Sequence, residues 1–158
     1  MGLAARLLAA AFVFTAALGA AAHAQAPSDP FPSGLIRIYK PVEVRTKITY
    51  GDLWLSDTNA RFDELKGRMD IRYVETLPPS ANPDLSGARI YQVLNFAQYF
   101  NFNRRKTGFC TLPVKWVGMR DLGQMQLRVT LMVMDDYRAA DQGKPSLCIA
   151  ATYRLPPQ

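Results

Sequence analysis

The stretch Met125-Gln126-Leu127-Arg128-Val129-Thr130-Leu131-Met132-Val133 decides the fold class. Met125, Leu127, Val129, Leu131 and Val133 share one face, while Gln126, Arg128 and Thr130 point the other way. Alternation at every second residue marks a strand laid with one face on a core. The run is too short, and Arg128 too central, for a helix that crosses a membrane. Such a strand needs partners, and the chain offers several. Leu35 to Tyr39 is an apolar run stopped by Lys40-Pro41. Val42, Val44, Thr46, Ile48 and Tyr50 alternate with Glu43, Arg45, Lys47 and Thr49, which predicts a half-buried strand with a charged, wet face. Leu53-Trp54-Leu55 follows a turn at Gly51-Asp52, and Met69, Ile71 and Tyr73 alternate with Asp70 and Arg72. Ala88 to Leu94 and Leu147 to Leu155 complete the strand candidates.

The segments between them are less decided. Residues 57–67 fit either a helix capped by Thr58 or Asn59, or a hairpin turning near Asp57-Asn59 and Lys66-Gly67; the hairpin is preferred. Residues 95–102 fit a helix or an irregular edge. Leu77 to Gly87 holds three prolines and reads as a surface loop. Phe109 to Met119 is broken at Pro113 and Gly118, Asp121 to Gln124 is a turn, and Asp135 to Ser146 is a polar loop. Strands outnumber helices. The expected fold is mainly β, a small antiparallel sandwich or barrel with at most one or two short helices and one disulfide.

The chain has 158 residues, 49% hydrophobic and 20% charged, which suits a single domain and argues against disorder. Arg6, the apolar run from Leu7 to Phe14, an alanine-rich stretch and Ala22-His23-Ala24 have the layout of a signal peptide. The expected organisation is a signal peptide over residues 1–24, a flexible lead-in over 25–34 and one β-rich domain over 35–158. Cleavage after Ala24 removes 24 of the 158 residues, leaving 134, and takes Arg6 and His23 with it. The net charge falls from +6 to +5, no histidine remains, and the product is periplasmic or secreted without a membrane span. Without histidine, Ser-His-Asp and Cys-His nucleophilic systems and imidazole metal sites are excluded. No cofactor, metal site or catalytic residue is expected.

Cys110 and Cys148 lie in the expected secreted part and are 38 residues apart. A structural bridge is the default reading in an oxidising compartment. A loop of that size corresponds to about 4 kcal/mol of stabilisation in the chain-entropy account. No C-x-x-C spacing supports a redox role.

Four segments carry a family resemblance: Gly51-Asp52-Leu53-Trp54-Leu55-Ser56-Asp57, Ala88-Arg89-Ile90-Tyr91-Gln92-Val93, Gly108-Phe109-Cys110 and the Cys148-x4-Tyr153 spacing. Over roughly residues 48–155 the chain resembles a loose group of small periplasmic two-cysteine β-rich proteins of alphaproteobacteria without an assigned activity. The resemblance implies a periplasmic β-rich domain with a Cys110–Cys148 bridge, and it carries over no catalytic residue.

The densest chemistry lies in Phe96-Ala97-Gln98-Tyr99-Phe100-Asn101-Phe102-Asn103-Arg104-Arg105-Lys106. Aromatics beside clustered cations suit stacking on sugars or rings while neutralising an anionic polymer. The binding candidates are Tyr99, Phe100, Phe102, Arg104, Arg105 and Lys106, weighed against aromatics that fill a core and cations that solvate a turn. Nucleic acid is not expected, since the charge excess is moderate and no nucleic-acid motif is present. Asp57, Asp63, Glu64, Glu75 and the Asp135-Asp136 pair are the carboxylates open to a hydrolase site, but adjacent strand residues point apart. Trp54 and Trp116 are interface anchors or core residues, and unpaired strand edges are a third recognition route. The expectation is a non-enzymatic binding module for a protein or anionic envelope component, one form being an inhibitor. The alternative is a histidine-free carboxylate hydrolase acting on envelope glycan.

Overall fold

Residues 126–132 of the alternating run form a strand, and seven others join it in chain order. The computed structural model describes residues 34–79, 82–138 and 147–157. The expected signal peptide, and the lead-in up to residue 33, lie outside the described residues. The elements are β1 (Arg37–Pro41), α1 (Val44–Thr49), β2 (Leu53–Leu55), β3 (Asn59–Phe62), β4 (Met69–Thr76), β5 (Arg89–Val93), α2 (Phe96–Asn103), β6 (Trp116–Gly123), β7 (Gln126–Met132) and β8 (Leu147–Arg154). Each strand pairs antiparallel with the next, and β8 returns to β1 through Lys40↔Arg154 and Pro41↔Tyr153. The result is a closed eight-stranded barrel, one of the two expected forms. Closure leaves no long unpaired edge among the described residues, so recognition by an added strand loses its basis there.

Eight strands enclose an interior just wide enough for side chains. Here it is filled by inward residues two apart: Leu53 and Leu55, Ala60 and Phe62, Met69 and Ile71, Tyr91 and Val93, Val117 and Met119, and Leu127, Val129 and Leu131. Each fully buried Leu, Ile or Phe contributes about 1.5–3 kcal/mol relative to exposure. The barrel is a packed core rather than a ligand cup.

A second core lies outside the wall. Thr130 is expected on the face away from the core, yet it is fully buried, as is Met132. Leu77 and Leu85 from the proline-rich connection, with Ala88, Ile90 and Tyr137, cover that part of the wall. The connection is therefore a loop with two leucines anchored in a core. Gly118 does not break β6; it pairs with Ile90 and Thr130 inside the sheet. A Cβ there would stand 3.0 Å from Cδ2 of Leu85, so the glycine admits the leucine to the wall.

Two further boundaries differ from expectation. The β6–β7 turn sits at Gln124-Met125, with Asp121 to Gly123 still in the strand. Residues 57–67 form the preferred hairpin, while 42–50 is not a strand. Residues 44–49 are α1. In strand geometry the β-branched residues of 42–48 would have been buried, but Val42, Val44 and Ile48 are exposed. The buried residues are Thr46, Thr49 and Tyr50, spaced i, i+3, i+4 along one helical face. Carrying the chain from β1 to β2 across the barrel end outweighs the local β preference.

In an up-and-down barrel the connections alternate between ends. Those after β1, β3, β5 and β7 emerge together, and this end holds α1, α2 and Cys110–Cys148.

Candidate anion-binding cleft

Six aromatic rings cap this end and position everything around it. Tyr50 meets Phe62 edge-on at 5.5 Å and Phe109 at 6.5 Å, while Tyr99 and Phe100 reach Phe109 at 6.0 and 6.5 Å. Phe62 continues the stack to Tyr153 inside the barrel at 6.1 Å. Offset and edge-on pairs of this kind add about 0.5–1.5 kcal/mol each beyond their burial.

α2 is docked by an asparagine at each end. Asn95 Oδ1 accepts from Asp70 N at 3.0 Å, and its Nδ2 donates to the Arg68 carbonyl at 2.9 Å. Asn103 does the same at Lys66, accepting from its N–H at 2.8 Å and donating to its carbonyl at 2.9 Å. The β3–β4 turn thus pairs with two carboxamides as it would with a strand.

Following α2, residues 104–108 turn back toward α1. The Tyr50 hydroxyl donates to the Gly108 carbonyl at 3.1 Å. Gly108 has φ 84°, and a Cβ would lie 3.0 Å from Thr49 Cγ2. Both its backbone conformation and its contact with α1 demand glycine. Two residues later, Cys110 is bonded to Cys148 at the start of β8, with their Cα atoms 5.5 Å apart.

A cleft runs between these clamped segments. One part, about 320 Å³, is bounded by Glu43, Arg45, Thr46, Thr49, Tyr50, Gly108 and Cys148 to Ala150. The adjoining part, about 530 Å³, is bounded by Arg45, Ile48, Thr49 and residues 105–108. Arg45, Thr49 and Gly108 line both, so the two are continuous. Arg45 faces the loop that carries Arg105 and Lys106. Lys106 is paired with Glu64 at 3.3 Å. Among the described residues no carboxylate lies within ion-pair distance of Arg45, Arg104 or Arg105. Glu43, the cleft's one carboxylate among the described residues, accepts from Thr46 Oγ1 at 3.2 Å and lies 3.9 Å from Arg128.

Burial pushes the Tyr50 hydroxyl up to about 12, and the Arg45 guanidinium opposes that rise. Burial likewise raises Tyr99 and Tyr153, so these phenols stay protonated and neutral. Tyr50 therefore adds no charge to the cleft, whose cations are Arg45, Arg105 and Lys106.

The six binding candidates separate. Tyr99 is 1% exposed and belongs to the core, and Phe100 is half-buried against Phe109. Phe102 is 51% exposed and rests beside Gly67. Arg104 and Arg105 are exposed, and Lys106 is half-buried. Arg105 and Lys106 line the cleft, whereas the aromatics support it from behind or stand apart. Sequence reading missed Arg45, Thr46 and Thr49, because the strand reading placed them on a barrel wall. The i, i+3, i+4 spacing of Thr46, Thr49 and Tyr50 after Pro41 is the signal that finds them.

Of the other candidates, Glu64 reaches the cleft's rim through its pair with Lys106, and the rest lie outside the cleft lining. Asp63 pairs with Arg61 at 3.5 Å, Glu64 with Lys106, Glu75 with Arg138 at 3.0 Å, and Asp135 with Lys115. Asp136 accepts from the Arg138 backbone, and Asp57 lies in the β2–β3 turn. Trp54 stands on the outer wall under the Arg61 guanidinium, 5.7 Å from the ring centre. Trp116 packs against Tyr137 at 4.8 Å in the outer core. Among the described residues no three His, Cys, Asp or Glu side chains gather as a metal site would require. No protein-family model, curated protein or solved structure matches the chain.

Proposed function

We propose that this protein is a non-catalytic binding module of the bacterial envelope, and that the cleft between α1 and residues 105–108 receives an anionic envelope component. The observation that carries this reading is the meeting of Arg45 and Arg105, without carboxylate partners among the described residues, on one continuous cleft. Guanidinium groups form forked hydrogen bonds with phosphate and carboxylate, which gives geometry as well as charge. The walls are fixed by Tyr50–Gly108 and by Cys110–Cys148, so little ordering entropy is lost on binding. The disulfide fits an oxidising compartment. The apolar leader and the resemblance to periplasmic two-cysteine proteins support the same location, with cleavage after Ala24.

The hydrolase alternative requires two carboxylates at a shared substrate. Glu43 has no carboxylate partner among the described residues that line the cleft, so the geometry favours binding.

Titration with a soluble phosphorylated or sulfated oligosaccharide tests the reading. Arg45→Ala and Arg105→Ala are each expected to weaken binding about tenfold, the range for a hydrogen bond to a charged group. Arg72→Ala, on the barrel wall beside Gln92, is expected to leave it unchanged. Equal affinities for all four proteins would remove the cleft from the account.

A further inference from the structure

Helix α1 is inside out. Its inward face carries Thr46 and Thr49, while Val44 and Ile48, one turn apart, are 74% and 68% exposed. A helix packed only for folding buries its aliphatic stripe and wets its threonines. The exposed pair adjoins the cleft, because Ile48 lines it together with Arg45 and Arg105. Nearby carboxylates are occupied: Glu43 by Arg128, Asp52 by Lys40 and Glu64 by Lys106. Arg45 and Lys47 on the helix and Arg105 across the cleft have no such partner among the described residues.

We infer that α1 docks on an anionic lipid bilayer, with Val44 and Ile48 entering the acyl boundary and the cations meeting headgroup phosphates. This rests on the cleft as an anion site and assigns the source of the anion. Aliphatic tips ringed by cations are the interfacial arrangement for such a surface. A protein partner is less well served, since a stable interface takes ~800 Å² per partner and the exposed aliphatic part here is only Val42, Val44 and Ile48.

The test is flotation of the processed protein, its N terminus read by mass spectrometry, with vesicles of phosphatidylglycerol and phosphatidylcholine at 3:7 and with phosphatidylcholine alone. Binding only to the anionic vesicles, falling with added salt, is expected. V44S/I48S is expected to weaken vesicle binding about tenfold while keeping its denaturation midpoint, and V44S, whose side chain does not line the cleft, to weaken vesicle binding while keeping its affinity for the soluble oligosaccharide. Unchanged vesicle binding in V44S/I48S, or equal binding to both vesicle types, overturns the inference. So does oligosaccharide binding without vesicle binding, which leaves the cleft reading intact. Absence of both bindings overturns the two together.

Discussion

The Tyr50 hydroxyl donates to the Gly108 carbonyl at 3.1 Å across 58 residues of sequence, and so joins the two walls of the cleft. Tyr50→Phe keeps the ring stack on Phe62 and Phe109 and removes only this bond. Loss of about 1 kcal/mol of stability is expected, measured by urea denaturation, with weaker oligosaccharide binding. A variant as stable and as tight as the parent would show that the bond does not hold the cleft.

Tyr50 also sets an alkaline limit. Its folded value of about 12 is above the unfolded value of roughly 10, so the folded state holds the proton more tightly. The stability this contributes is whole below the unfolded value and is lost as the pH rises through the folded one. Tyr99 and Tyr153 are raised in the same direction by burial. Phenolate absorbance from these three is expected to appear together with loss of tertiary circular dichroism. Ordinary titration of all the tyrosines in the folded protein would contradict the buried aromatic cap.

An acid limit follows from Glu75, which accepts from the Tyr137 hydroxyl and from Arg138. The Tyr137 bond, helped by Arg138, holds this carboxyl below its ordinary value against the opposing effect of burial. With the folded value depressed, the stabilisation is present above the ordinary value, roughly 4.3, and is lost as the pH falls through the folded one. Trp116 lies 4.8 Å from Tyr137 and reports the event. Its fluorescence is expected to change on acidification before global unfolding, and Glu75→Gln is expected to show the change already at neutral pH.

The β6–β7 hairpin stores strain that substitution can release. Gln124 and Met125 have φ 50° and 61°, a two-residue turn in which both positions favour Asn-Gly. Q124N/M125G is expected to raise stability by about 1–2 kcal/mol, read from the denaturation midpoint. A lower midpoint would mean that the exposed Met125 side chain makes a contact outweighing its backbone.

Reduction of Cys110–Cys148 is expected to lower stability by about 4 kcal/mol and to expose two thiols absent from the native titration. A native protein with reactive thiols would contradict the bridge.

How far the sequence carried these features depends on where each signal is local. The alternation of Leu127, Val129 and Leu131 is read correctly because each inward residue meets the filled interior. The outer core is invisible from β7 alone: Thr130 is buried by Leu77, Leu85 and their neighbours, which arrive from a loop about fifty residues earlier. At 42–50 the local pattern points the wrong way. Aliphatic Val44 and Ile48 invite a strand, and only the spacing of Thr46, Thr49 and Tyr50 reveals the helix. Missing that helix hid Arg45, so the sequence offered one wall of the cleft, Arg105 and Lys106, without the other. Tyr99 and Phe100 enter the candidate set by adjacency to the cations, yet Tyr99 is buried in the core and Phe100 half-buried against it, and only Phe102 is exposed.

The most direct measurement is a map of backbone amide shifts on adding the soluble phosphorylated oligosaccharide. The account predicts that shifts concentrate at Arg45 to Thr49, at Arg105 to Gly108 and at Cys148 to Ala150, and vanish in R45A/R105A. Shifts confined to the outer wall around Trp54 and Arg61, or to the Gln124-Met125 hairpin, would contradict it.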